Sequence, residues 1–159
     1  VATTFKAQYG TNGQAITVTL ASLASAASRA STAVDNTTNL FLDALVQIGI
    51  KTGTVAGTAY IAVYAYGTAN NGTNYIEGVS GTDAGITLTS PTNLKLLGIL
   101  NTPILNTTYN GMFNVAAAFG GQLPASWGIV IQNNTGGTLD ATEANHLKVY
   151  QGLYAQGTP

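Results

Sequence analysis

Acid–base, nucleophilic and metal chemistry all need side chains that change charge, attack or coordinate, and this chain of 159 residues carries few of them: one His, six acids and no Cys. A Ser-His-Asp hydrolase needs an imidazole to activate a weak nucleophile. His146 is the sole candidate, it stands between Asn145 and Leu147, and no G-x-S-x-G elbow accompanies it. Its expected place is a solvated loop or edge just before the last strand. A glycosidase needs two carboxyls about 5–10 Å apart, one protonated and one ionised. Of Asp35, Asp43, Glu77, Asp83, Asp140 and Glu143, only Asp43 falls inside an expected strand. Asp35, followed by Asn36, and Asp83, after Gly81-Thr82, read as turn formers that bond nearby backbone amides. Asp140 and Glu143, in LDATEAN, have the spacing of a capping box on a single helical turn. No catalytic residue, cofactor or metal ligand is assigned, and the chain reads as a non-enzyme.

Binding chemistry is thinly represented too. The loop YGTANNGTNYIEGVSGTD offers Asn70, Asn71, Asn74, Glu77 and Asp83 as oxygen donors, but without the D-x-D-x-D-G series of a calcium loop. Residues of this kind ordinarily build turns. The glycine clusters lack the G-K-[ST] ending of a phosphate loop. Lys6, Arg29, Lys51, Lys95 and Lys148 are scattered, where duplex binding needs a concentrated positive stripe. Tyr64, Tyr66 and Tyr75 are the aromatic residues best suited to face a partner or a sugar, whereas Trp127, in ASWGIVIQN, reads as core. Asn36, Asn71, Asn106 and Asn133 each begin an N-x-T sequon, as a Thr- and Asn-rich chain produces by chance.

The elements that must position these groups are strands. Ile16, Val18 and Leu20 alternate with Thr17 and Thr19, and Leu40, Leu42, Ala44, Val46, Ile48 and Ile50 alternate without a break against Asp43, Gln47 and Lys51. Thr58–Gly67 places Ala59, Ile61, Val63 and Ala65 on one face and Tyr60, Tyr64 and Tyr66 on the other. Further strands are expected over Ile86–Leu88, Leu94–Asn101, Tyr109–Val115, Trp127–Asn133 and Leu147–Ala155. In the last, Leu147, Val149, Leu153 and Ala155 form the apolar side, with Tyr150 and Tyr154 opposite. Asn-Gly and Gly-Gly pairs separate the runs, and Pro91, Pro103 and Pro124 sit at their margins. Ala21–Ala30 reads as a short helix or a covering loop. About eight short strands with polar connections predict one all-β domain, a sandwich or barrel.

Composition sets outer bounds. Charged residues are 7%, against about 25% in ordinary globular chains, while hydrophobic residues are 45%. With net charge 5 − 6 = −1, the chain has neither the high charge nor the low hydrophobicity of a disordered one. No apolar run approaches the ~20 residues of a spanning helix, and VATTFKAQYG lacks the basic start and apolar run of a signal peptide. Neither a membrane nor nucleic acid is expected as a partner.

The segments STAVDNTTNLFLDALVQI, AVYAYGTANNGTNY, GVSGTDAGITL, NLKLLGIL, FNVAAAFGGQLPASWGIVIQN and the closing YQGLYAQ, read in order, resemble small virion structural proteins of tailed bacteriophages. The likeness runs from about Ala15 to the end. It implies a jelly-roll-like antiparallel β-sandwich over residues 15–159 that decorates or cements a capsid. The implied partners are the major capsid protein and copies of itself, as a homo-oligomer with a trimer favoured, at the capsid surface of the virion. A head-fibre or tail module that binds a host glycan is the alternative that the same fold allows. Residues 1–14 read as an N-terminal arm, with Phe5 and Tyr9 as anchors that add a strand to a neighbour, or equally as a frayed terminus.

Overall fold

Strands form where β-branched and aromatic residues alternate with polar ones, and the computed structural model, which describes residues 4–54, 59–70 and 72–158, contains eleven. They are β1 (Thr4–Tyr9), β2 (Gln14–Ala15), β3 (Ser28–Ala30), β4 (Val34–Asp35), β5 (Asp43–Lys51), β6 (Tyr60–Thr68), β7 (Ala84–Ile86), β8 (Lys95–Asn101), β9 (Thr108–Asn114), β10 (Ser126–Asn134) and β11 (Leu147–Thr158). The first sheet has the order β1-β11-β5-β9, with β2 also on β11, and the second β7-β3-β10-β6-β8, with β4 also on β10. All pairings are antiparallel. Setting aside the short β2, β4 and β7, the remaining eight strands lie 1-8-3-6 in one sheet and 2-7-4-5 in the other. That is the connectivity of a jelly roll, and it bears out the expected fold class. Among the described residues no helix is long and apolar enough to cross a membrane.

The core lies between the sheets. Ala44, Val46, Ile48 and Ile50 from β5 face Ile61, Val63 and Ala65 from β6 and Trp127, Ile129 and Ile131 from β10, all fully buried. Trp127 meets Tyr150 of the other sheet edge to face at 5.3 Å. This reverses the expected orientation of β11. Tyr150 and Gly152 point inward, the ring of Phe41 covers Gly152 where a Cβ would collide, and Leu147 is exposed. The row expected from Leu40 also begins later, at Ala44. Both amide atoms of Asn36 bracket Phe41, with Nδ2 donating to its carbonyl and Oδ1 accepting its N–H, each at 2.8 Å. The turn so fixed sends Phe41 inward and leaves Leu40, at φ 51°, and Leu42 in solvent.

Ile16, Val18 and Leu20 are buried in alternation as expected, yet they form no ladder. They belong to a crossing segment that leaves the first sheet where Ile16 N–H bonds Lys148 O and reaches the second where Thr32 N–H bonds Thr17 O. Ala21–Ala30 is a loop running into β3, not a helix. Within the stretch read as an N-terminal arm, Thr4–Tyr9 pair with Thr158–Leu153 of the same chain. Residues 1–3 of that stretch lie outside the described residues, as does Thr58 of the expected β6 run.

Candidate interaction surface

The acids, first candidates for chemistry, are occupied in holding backbone. Asp83 accepts Thr19 N–H at 3.1 Å, the Thr19 hydroxyl and Arg29 Nε, so it ties the crossing segment to β3 and is not the local turn former expected. Glu143 accepts the N–H groups of Leu20 and Ala21 at 2.8 and 2.7 Å and pairs with Lys148. It does not close a capping box: Thr142 precedes the single 3-10 turn Glu143–Asn145 and makes no side-chain cap. Asp140 accepts Thr142 N–H and Asn145 Nδ2 and pairs with Lys51 at 3.1 Å. Asp43 accepts the N–H groups of Ala44 and Ala116 and the Asn114 amide, and Asp35 accepts Thr37 N–H in the turn expected of it. Glu77 accepts Thr89 N–H, the Thr89 hydroxyl and Asn93 N–H.

These bonds favour the ionised form. The Thr89 hydroxyl and the Asn93 and Thr89 amides lower the Glu77 carboxyl to about 2. Asn145, the Thr142 amide and Lys51 hold Asp140 well below the usual carboxylate range. For Asp83 and Glu143 burial opposes ionisation, but Arg29 with Thr19, and Lys148 with Ala21 and Leu20, together outweigh it and lower both. Glu77 and Asp83, both offered by sequence as donors to one ion, serve different backbone segments. No group of three His, Cys, Asp or Glu that could hold a metal occurs among the described residues.

His146 is buried rather than solvated. Its Nδ1 accepts Lys51 N–H at 3.3 Å, and its Nε2 lies 3.1 Å from Asp140 O. The imidazole thus stitches β5 to the turn before β11. No Ser or Thr hydroxyl is hydrogen-bonded to it among the described residues.

The tyrosines expected to face a partner divide. Tyr66 is fully buried, with its hydroxyl donating to Ser31 O at 2.7 Å and burial pushing its pKa up to about 12. It cannot contact a partner, because the long connection after β6 folds back over the second sheet. Val79 and Leu94 of that connection join Tyr66, Ala30 and Val130 in a second small core. Tyr75 stands edge to face on Tyr66 at 5.2 Å and bonds the Ser126 hydroxyl, and Tyr64 is half-buried against Gln132. Of the sequon asparagines, Asn36 and Asn133 are buried, Asn106 is exposed and Asn71 lies outside the described residues.

Phe5 and Tyr9 are exposed, at 75% and 62%. Register places Phe5, Ala7 and Tyr9 opposite Gly157, Ala155 and Leu153 on the outer side of the first sheet. The same face continues through Val149, Gln47 and Met112, which lie side by side on β11, β5 and β9. Met112 is 64% exposed. Among the described residues, the charges on this face are Asp43 at one end of β5 and Lys51 at the other, and both are engaged as described. Between them lies an uncharged surface of thioether, aliphatic and amide groups. Sequence reasoning found its aromatic rim but missed Met112, whose position alternating with Phe113 was the available signal.

Such a face binds by apolar area and amide hydrogen bonding and needs no charge desolvation. Comparison of the chain with family models, curated proteins and solved structures finds no match.

Proposed function

We propose that the chain is a non-enzymatic structural protein of a bacteriophage virion that binds the major capsid protein on the outer capsid surface, as an oligomer, and decorates or cements the shell. The observation that carries this reading is the uncharged outer face of the first sheet, running from Phe5 to Met112. A cement protein is held by many repeated weak contacts, because neighbouring copies on a lattice raise one another's effective concentration. The resemblance of the segments from Ala15 onward supports the setting, and the structural use of every carboxylate supports a binding rather than a turnover role. The test is to count and locate the chain in purified particles. Many copies following the shell symmetry are expected; a few copies confined to the tail would reject a decorating role.

A host-glycan module is the second reading. A cleft of about 390 Å³ lined by Asp35, Thr37, Thr68, Tyr75 and Ser126 favours it, since hydroxyls beside an aromatic ring suit a sugar. Glycan-array binding lost on Tyr75→Ala would support this role, and an empty array would remove it.

A further inference from the structure

We infer that β1 is a self-pairing edge through which two copies of the chain join their first sheets about a twofold axis. β5 pairs with β11 only as far as Leu153, and among the described residues β1 is the sole strand paired with residues 154–158, although the Tyr154 ring still rests on Phe41. Beyond Tyr154 the paired strands form a two-stranded ribbon, a form only marginally stable in water by itself.

Native sheets ordinarily guard their edges. β7 is three residues long, and β8 begins with Lys95 and carries a register shift opposite Val63/Tyr64. β9 is drawn against β8, with Phe113 on Gly98 and Leu100 on Gly111 so closely that a Cβ at either glycine would collide. β1 has six regular residues, no Pro and no bulge.

The direction of its free donors follows from one bond. Gly10 N–H donates to Gly152 O at 2.8 Å, in phase with the β1–β11 register. Antiparallel alternation then aims the N–H and C=O groups of Tyr9, Ala7 and Phe5 away from β11, toward the open edge. These three share the outer face, so a second β1 can meet them with faces and donors both in phase. Among the in-phase registers, centring on Lys6 would set Lys6 against its own copy. Centring on Ala7 sets Lys6 against Gln8 and Phe5 against Tyr9, which avoids the like-charge pair and gains two aromatic pairs. Lys6 has no ion-pair partner among the described residues. The occupant is thus a second copy of this chain, joined by a symmetric contact, which departs from the trimer that the resemblance favours.

This contact deepens the assembly role proposed above, and the two fail separately, since self-association is read without a capsid and capsid binding is read by its own assay. Analytical ultracentrifugation over a hundredfold concentration range should show wild type passing from one to two chain masses. Ala7→Pro removes an N–H that β11 does not use, a placement an edge strand tolerates, and should remain at one mass with an unchanged circular dichroism spectrum. Ala7→Cys, the sole thiol it would contain, should be captured as a covalent dimer by a short bis-maleimide, which covers the case in which Ala7→Pro does not fold. A wild type that stays monomeric, an Ala7→Pro dimer, a trimer, or an Ala7→Cys chain that resists capture would each overturn the inference.

Discussion

Asp83→Ala removes an acid that ties distant segments of the chain together. The carboxylate holds Thr19 N–H, the Thr19 hydroxyl and Arg29 Nε at once, bridging residues 64 apart in sequence. Hydrogen bonds to a charged group contribute about 1.5–3 kcal/mol each when sequestered. Here the side chains of Asp83 and Arg29 are 18% and 29% exposed, so water recovers part of each bond after truncation. The three together should therefore cost about 2–3 kcal/mol. For a chain of this length that lowers the melting temperature by about 4–12 °C. Arg29→Ala alone should cost less, because Thr19 keeps its acceptor, and the double variant should fall short of the sum of the singles. Asp35→Ala, whose bonds stay within two residues, is the control and should leave the midpoint in place. The assay is two-state urea unfolding monitored by the fluorescence of Trp127. An Asp83→Ala midpoint indistinguishable from that of Asp35→Ala would refute the clamp.

Acid should weaken the fold through the same groups. Glu77, Asp83, Asp140 and Glu143 all titrate lower folded than unfolded, so the native chain binds fewer protons between the two values and stability rises with pH across that window. Their contribution is whole above the unfolded values, about 4, and is lost as pH falls through the folded ones, down to about 2 for Glu77. Melting temperature should be level near pH 5–6 and drop steeply between about pH 4 and 2; a level curve to pH 2 would contradict this. Gly152→Ala should cost about 1–3 kcal/mol in chemical unfolding, since its Cβ would meet the Phe41 ring and displace it from the core. An unchanged midpoint would mean that Phe41 does not rest on that glycine.

How far the sequence could be read depended on whether a residue's partner was local. The β5, β6 and β10 cores were legible because Ala44–Ile50, Ile61–Ala65 and Trp127–Ile131 alternate, and period two alone sets which side is buried. β11 misled because it has apolar groups on both sides, and Gly152, whose hydropathy says little, is buried by Phe41 from a loop far away in sequence. Asp83 and Glu143 looked local but bond segments 64 and 123 residues off, which no spacing rule reports. His146 likewise meets Lys51 95 residues away. Tyr66 was correctly placed on the face opposite the main core; the second layer that buries it had its signal in Val79 and Leu94, apolar residues inside a polar connection. Phe5 and Tyr9 are exposed, but nothing in their spacing reported that their strand pairs with β11.

The proposed seating of the chain on a capsid rests on the uncharged outer face of the first sheet. Met112→Glu places a charge on the β9 side of that face at a site already open to water, so the fold should be unaffected. Buried at a contact, the carboxylate would have no partner. Co-sedimentation of labelled chain with isolated shells should show saturable binding for wild type and at least tenfold weaker binding, about 1.4 kcal/mol, for Met112→Glu. Equal binding by the two, or no saturable binding by wild type, would rule out this face as the capsid contact.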